Sequence, residues 1–230
     1  MLTLQQLKVM TNMQCDINTL MNPNWVGANQ AWNRASMIEI VELFDHVGMW
    51  KWWKKMSVNL LQGQIELIDV FHFVLSHKVD MCGGDADKAA QEMFEEMGSS
   101  DPVVYIDLAK QEGYSISEMD FLTKLDFMTG LFAFKRPSLT LLWDIMKECK
   151  IDGDFLYSWY VSKNVLNTFR QHNGYKTGGY IKMWTVDGVE MEDNVAMEAL
   201  NKTLDFTSPN YPVELYSGLE RVYAESKEAE

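Results

Sequence analysis

The chain has 230 residues, 47% of them hydrophobic, which is enough to bury one substantial core and reads as a single domain over residues 1–230. Against 33 acidic residues stand 20 lysines and arginines, and the resulting charge of −13 opposes general attraction to nucleic acid or to anionic membrane. A phosphate-bearing ligand would have to be met locally, by clustered cations or by metal ions held on carboxylates.

The three cysteines, Cys15, Cys82 and Cys149, are odd in number and far apart. With no CxxC pair to suggest zinc or redox chemistry, they read as reduced thiols. Residues 1–8 lack a basic start and a long apolar stretch, and no apolar run approaches the roughly 18 residues a membrane helix needs. The expectation is a cytoplasmic protein with no membrane partner.

The five prolines, Pro23, Pro102, Pro137, Pro209 and Pro212, fall where helices would start or stop, and apolar spacings of i, i+3, i+4 and i+7 dominate between them. The fold class is therefore all-α. A first helix is expected over Leu4 to Leu20, ended by Asn22-Pro23-Asn24, and a second from Ala31 to His46. Gly48 and the cluster Trp50, Trp52 and Trp53 follow it. A third helix spans Leu60 to Ser76, and Cys82 to Ala86 form a turn. Further helices are expected over Ala89 to Met97, Ser117 to Leu131, Ser138 to Cys149 and Phe155 to Gln171, the last leading into a loop with Gly174, Gly178 and Gly179. From about residue 220 the chain reads as a polar tail, solvated at 225–230.

Two acidic doublets stand out. Glu39 and Glu42 lie three apart in the second helix, Glu66 and Asp69 three apart in the third, and that spacing puts each pair on one helix face. Around the first lie Met37, Ile38, Ile40, Val41, Leu43 and Phe44; around the second, Ile65, Leu67, Ile68, Val70, Phe71 and Phe73. Helices so apolar around their circumference are expected to be buried, so acids on them need partners or metal. Converging carboxylates suit a hard divalent cation, magnesium above all where phosphates complete the shell. The competing readings are a solvated acidic face, or a di-iron bundle built on ExxH motifs. His72 follows Asp69 by three, but His46, His77 and His172 have no acid three residues before them, and His72 alone reads as a hydrogen-bonded core histidine.

Farther along, Lys163, Asn167 and Arg170 fall at i, i+4 and i+7 on one stripe, with Val165, Leu166 and Phe169 turned to the core. Lys176 and Lys182 follow among glycines that let backbone approach a ligand. Four cations within twenty residues of an acidic chain suit a triphosphate, and equally a basic face at a helix carboxyl end.

The runs Met37 to Leu43, Trp50 to Lys55, Ile65 to Phe73 and Lys163 to Lys182 resemble the dimeric, all-α dUTPase family. The likeness covers about 10–75 and 155–195 and implies a helical bundle of the all-α NTP pyrophosphatase type, acting as a homodimer. It implies hydrolysis of dUTP, and of dUDP, to dUMP by attack of water on the β phosphorus, with Mg2+ on Glu39, Glu42, Glu66 and Asp69. Glu39 would act as base. Lys163, Arg170, Lys176 and Lys182 would hold phosphate oxygens, Asn167 and Tyr175 would lie near sugar and phosphates, and Gln14, Asn18 and Trp52 would recognise uracil. The spacing from Asp45 to the first tryptophan is one residue longer than the family's, so Met49 reads as an insertion and Trp53 competes with Trp52; the tryptophans also suit core packing or a subunit seam. A dCTP-preferring or broader pyrophosphatase shares the same acids, and a non-catalytic interaction module would pair them with basic groups.

Overall fold

A computed structural model describes residues 1–48, 50–55, 57–99, 104–107, 112–186 and 188–228; Met49 lies outside them. The helices are α1 (Leu4–Met21), α2 (Trp32–Val47), α3 (Leu60–Met81), α4 (Ala86–Gly98), α5 (Phe121–Ala133), α6 (Leu139–Glu148), α7 (Gly153–His172), α8 (Asp193–Asn201) and α9 (Tyr211–Glu228). Among the described residues two small antiparallel strand pairs accompany them, β1 (Val104–Asp107) with β2 (Glu112–Ser115), and β3 (Met183–Val186) with β4 (Val189–Glu192). The fold is all-α. No helix of the described residues is long and apolar enough to cross a membrane.

Local chemistry sets the helix starts. Asn59, Asp85, Asp120 and Ser138 cap α3, α4, α5 and α6, each side chain accepting from a backbone N–H three residues on, which satisfies a donor the helix leaves open. Gly48 closes α2 in the left-handed region at φ 64°, where a side chain would be strained. The expected turn after α3 is built on Gly83 and Gly84, with φ of 68° and 91°.

The chain divides into two compact units, one of Met1–Cys15 and Asn24–Leu156, the other of Asp16–Pro23 and Tyr157–Glu230. In the first, α2 and α3 run antiparallel: Asn33 at the start of α2 meets His77 near the end of α3, while His46 at the end of α2 meets Glu66 near the start of α3. They approach so closely at Gly63 that a Cβ there would sit 2.9 Å from Leu43 Cδ1. Buried around them are Ile40, Leu43, Leu67, Ile68, Phe71 and Leu75. Lys124 of α5, buried, binds Asp144 and Glu148 of α6.

The expectation that both acid-bearing helices are buried all round holds for α3 and fails for α2. Ile38 and Val41 are 48% and 50% exposed, because α2 packs through the single stripe Asn33, Ser36, Ile40, Leu43 and Val47.

In the second unit, Phe169 of α7 packs in an aromatic cluster with Trp184 and Tyr223, and Leu166 and Tyr211 are buried as well. The polar tail expected from about 220 is instead the end of α9. Its stripe Leu215, Leu219, Val222, Tyr223 and Ser226 is buried, and Ser226 Oγ accepts from Thr185 N at 2.8 Å. Acid-rich composition hid a helical period there.

Because Leu43 is fully buried where α2 and α3 meet, Leu43→Ala is expected to cost about 2–5 kcal/mol. Urea unfolding measures it, and a loss below about 1 kcal/mol would mean the seam is not held by this contact.

Candidate active site

Three carboxylates converge within the first unit. One oxygen each of Glu39 and Glu42, from α2, and Glu66, from α3, lie within 4.8 Å of one another. Spacing by three puts the first two on one face, and the antiparallel neighbour supplies the third. The cluster grades from solvent inward, with Glu42 exposed, Glu39 half-buried and Glu66 only 9% exposed. Asp69 sits one turn along α3 from Glu66, half-buried, and is not part of that group of three.

His46 also reaches this cluster, its Nε2 lying 3.1 Å from Glu66 Oε1. It stands four residues after Glu42 and seven after Glu39, so helical spacing carried a signal for it. Like charges this close repel, and an all-oxygen donor set is what a hard divalent cation binds. The three carboxylates therefore fit a hard divalent cation.

Gln14 and His72, each about nine-tenths buried or more, form a polar pair in the same unit, with Gln14 Oε1 2.9 Å from His72 Nδ1. The core histidine of the sequence is hydrogen-bonded, and its partner is a residue expected at the base. The tryptophans do not pack in the core: Trp50, Trp52 and Trp53 are 39%, 89% and 56% exposed and meet edge to face.

In the second unit Lys163 and Arg170 are buried on α7, Asn167 is half-buried between them, and Asn18 is buried. Arg170 is held in a fork. Its Nε and Nη2 each donate to a carboxylate oxygen of Asp193 at 2.8 Å, and Nη1 donates to Asn167 Oδ1 at 3.1 Å. Burial opposes the Arg170 charge, but hydrogen bonds and attraction from Asp193 outweigh it and raise its pKa above the ordinary value. Tyr180 donates to Asp193 Oδ2 at 2.7 Å, and burial together with that bond pushes its phenol well up. Tyr175 is 45% exposed beneath the Arg170 guanidinium. Lys176 Nζ donates to Met21 O at 3.0 Å, and Lys182 is exposed. Asp193 stands in the acid-rich run Glu190, Glu192 and Asp193, and Tyr180 in a glycine-bearing loop, so neither is marked out by helical periodicity.

The dUTPase family profile matches residues 6–175, a stretch that holds all four acids of the two doublets, Lys163, Arg170 and Tyr175. Together with the helical fold and the α2–α3 carboxylate cluster, this match shows that the chain belongs to the dimeric, all-α dUTPase family. It is accordingly a nucleoside triphosphate pyrophosphohydrolase with a nucleotide substrate, and its activity at family level is of the dUTP diphosphatase type. Enzymes of this kind generally use a divalent metal. No curated protein matches the chain.

Removing one of three repelling carboxylates should relieve the metal-free protein and weaken its hold on a cation. In chelator, Glu42→Gln is expected to melt at or above the wild-type temperature. With excess divalent cation the wild type should gain stability, by about 2.7 kcal/mol at a hundred times the dissociation constant, and the variant less. Equal gains would show that Glu42 takes no part in cation binding.

Proposed function

We propose that the chain is a magnesium-dependent dUTP diphosphatase that also accepts dUDP, and that Glu39, Glu42, Glu66 and Asp69 hold the metal. The observation that carries this is the meeting of Glu39, Glu42 and Glu66 within 4.8 Å. Magnesium, when bound, supplies positive charge that neutralises the phosphates and acidifies nearby water.

Glu39, half-buried at the middle of the cluster's exposure gradient, takes the proton of the attacking water as general base. The water oxygen bonds to the β phosphorus, the bond from that phosphorus to the oxygen bridging to the α phosphorus breaks, and dUMP leaves with the bridging oxygen. The other product is pyrophosphate from dUTP and phosphate from dUDP, since both substrates contain the bond that breaks. Lys163, Arg170, Lys176 and Lys182 bind phosphate oxygens, as fixed cations that meet the charge as it shifts between them. Asn167 and Tyr175 contact sugar and phosphate.

Gln14, Asn18 and Trp52 recognise the base. Commitment of the Gln14 oxygen to His72 orients that amide, and an oriented amide can separate uracil from cytosine by their donor and acceptor edges. The exposed Trp52, Ile38 and Val41 are apolar surface of the kind that oligomer interfaces cover, which supports a homodimer. A cytoplasmic location is part of the same proposal.

Pyrophosphate release from dUTP, dCTP, dTTP and UTP, and phosphate release from dUDP, measured with magnesium and with chelator, test the assignment. The expected result is magnesium-dependent turnover of dUTP and dUDP well above the rest; preference for dCTP would overturn the base specificity alone. For Glu39→Gln, kcat should fall about 10²–10⁴-fold with KM little changed, and full turnover would remove Glu39 from the role of base.

A further inference from the structure

Asp193 is fully buried, and its carboxylate gathers three donors from two segments of the second unit. Arg170 of α7 supplies Nε and Nη2, and Tyr180 of the following loop supplies its hydroxyl. The backbone N–H of Asp193 donates to Lys182 O at 2.9 Å, extending the pairing of Met183 with Glu192 by one step. Asp193 is also the first residue of α8, where the helix dipole favours a negative charge.

A guanidinium has five N–H donors. Two go to Asp193, one to Asn167 and one, at 3.4 Å, to Asn194, which leaves one on Nη1. Arg170 is thus held by a counter-charge, and one N–H of Nη1 has no partner among the described residues. Lys182 is fixed on both sides: its carbonyl is bound by the backbone of Asp193, and two residues earlier Tyr180 is tied to the Asp193 side chain. Between them Ile181 donates to Tyr223 Oη at 3.2 Å and accepts from Trp184 Nε1 at 2.9 Å.

We propose that Asp193 is a positioning residue for phosphate binding: it orients Arg170 and sets the Tyr180–Lys182 segment, so that Arg170 Nη1 and the Lys182 ammonium meet phosphate oxygens without reorganisation. This rests on the reading of Arg170 and Lys182 as phosphate ligands, and Asp193 and Lys182 lie past the 6–175 stretch that the family profile covers. Asp193 touches no substrate in this role. Its loss acts through Arg170 and Lys182 on the phosphate end, not through the groups assigned to the base.

Calorimetric titration with magnesium pyrophosphate and, separately, with deoxyuridine tests this on the full chain, with melting followed for every variant. Asp193→Asn should weaken pyrophosphate about tenfold or more, because charged hydrogen bonds are lost, and leave deoxyuridine within about twofold; Asp193→Glu should recover part of the loss. Tyr180→Phe keeps the Arg170 pair and should weaken pyrophosphate by a smaller factor, and it decides the matter if Asp193→Asn does not fold. Unchanged pyrophosphate affinity in Tyr180→Phe and in any folded Asp193→Asn, or equal loss of both ligands, overturns the role of Asp193. Lys182→Ala separates the two levels. If it leaves pyrophosphate binding intact, the phosphate-ligand reading falls and the positioning role with it; if it weakens binding while the Asp193 and Tyr180 variants do not, only the positioning role is lost.

Discussion

The chemistry proposed for this enzyme depends on two antiparallel helices coming close enough for acids on both to share one space. Gly63 makes the approach possible, since a side chain there would press on Leu43, and the buried stripe of α2 locks it against α3. The apolar side of the seam therefore does two things at once. It stabilises the fold through burial, and it holds carboxylates together against their mutual repulsion. Such an arrangement becomes favourable when a cation enters, which is a structural form of preorganisation: the fold bears the cost of assembling like charges before any ligand arrives.

The two halves of the proposed machinery have different physics. The carboxylate cluster is graded, from exposed Glu42 to buried Glu66, so a cation can enter from water and still meet a desolvated ligand. The Arg170–Asp193 pair is buried throughout and its charges are balanced locally. A buried pair of this kind contributes little net stability but is costly to break, which makes it better suited to fixing geometry than to attracting a triphosphate from a distance. In the proposed machinery attraction would fall to exposed lysines such as Lys182.

Much of this was legible in the sequence. Helices α1, α2, α6 and α7 could be drawn to within two residues, whereas α3 runs on from the expected Ser76 to Met81, α4 starts at Ala86 ahead of Ala89, and α5 starts at Phe121 after Ser117, where Asp85 and Asp120 supply the caps. The hairpin β3–β4 was invisible, since each strand is four residues long and only Trp184 in it is buried, too short a stretch for alternation to register. Helix α9 was masked by its acids. The carboxylates were found because apolar neighbours surround them, yet that reasoning describes α3 better than α2, whose Ile38 and Val41 face water. His46 lay on a stripe already drawn. Partners that meet only in three dimensions, His72 with Gln14 and Asp193 with Arg170, could not be read from spacing.

Shared cation binding by acids of α2 and α3 is the central claim, and manganese offers a spectroscopic stand-in for magnesium because both prefer oxygen ligands. Electron paramagnetic resonance of Mn2+ titrated into the wild type and into a folded Glu39→Gln/Glu66→Gln variant measures it directly. A saturable bound signal in the wild type that is lost or greatly weakened in the double variant is the predicted result. Equal binding by the two proteins would contradict it.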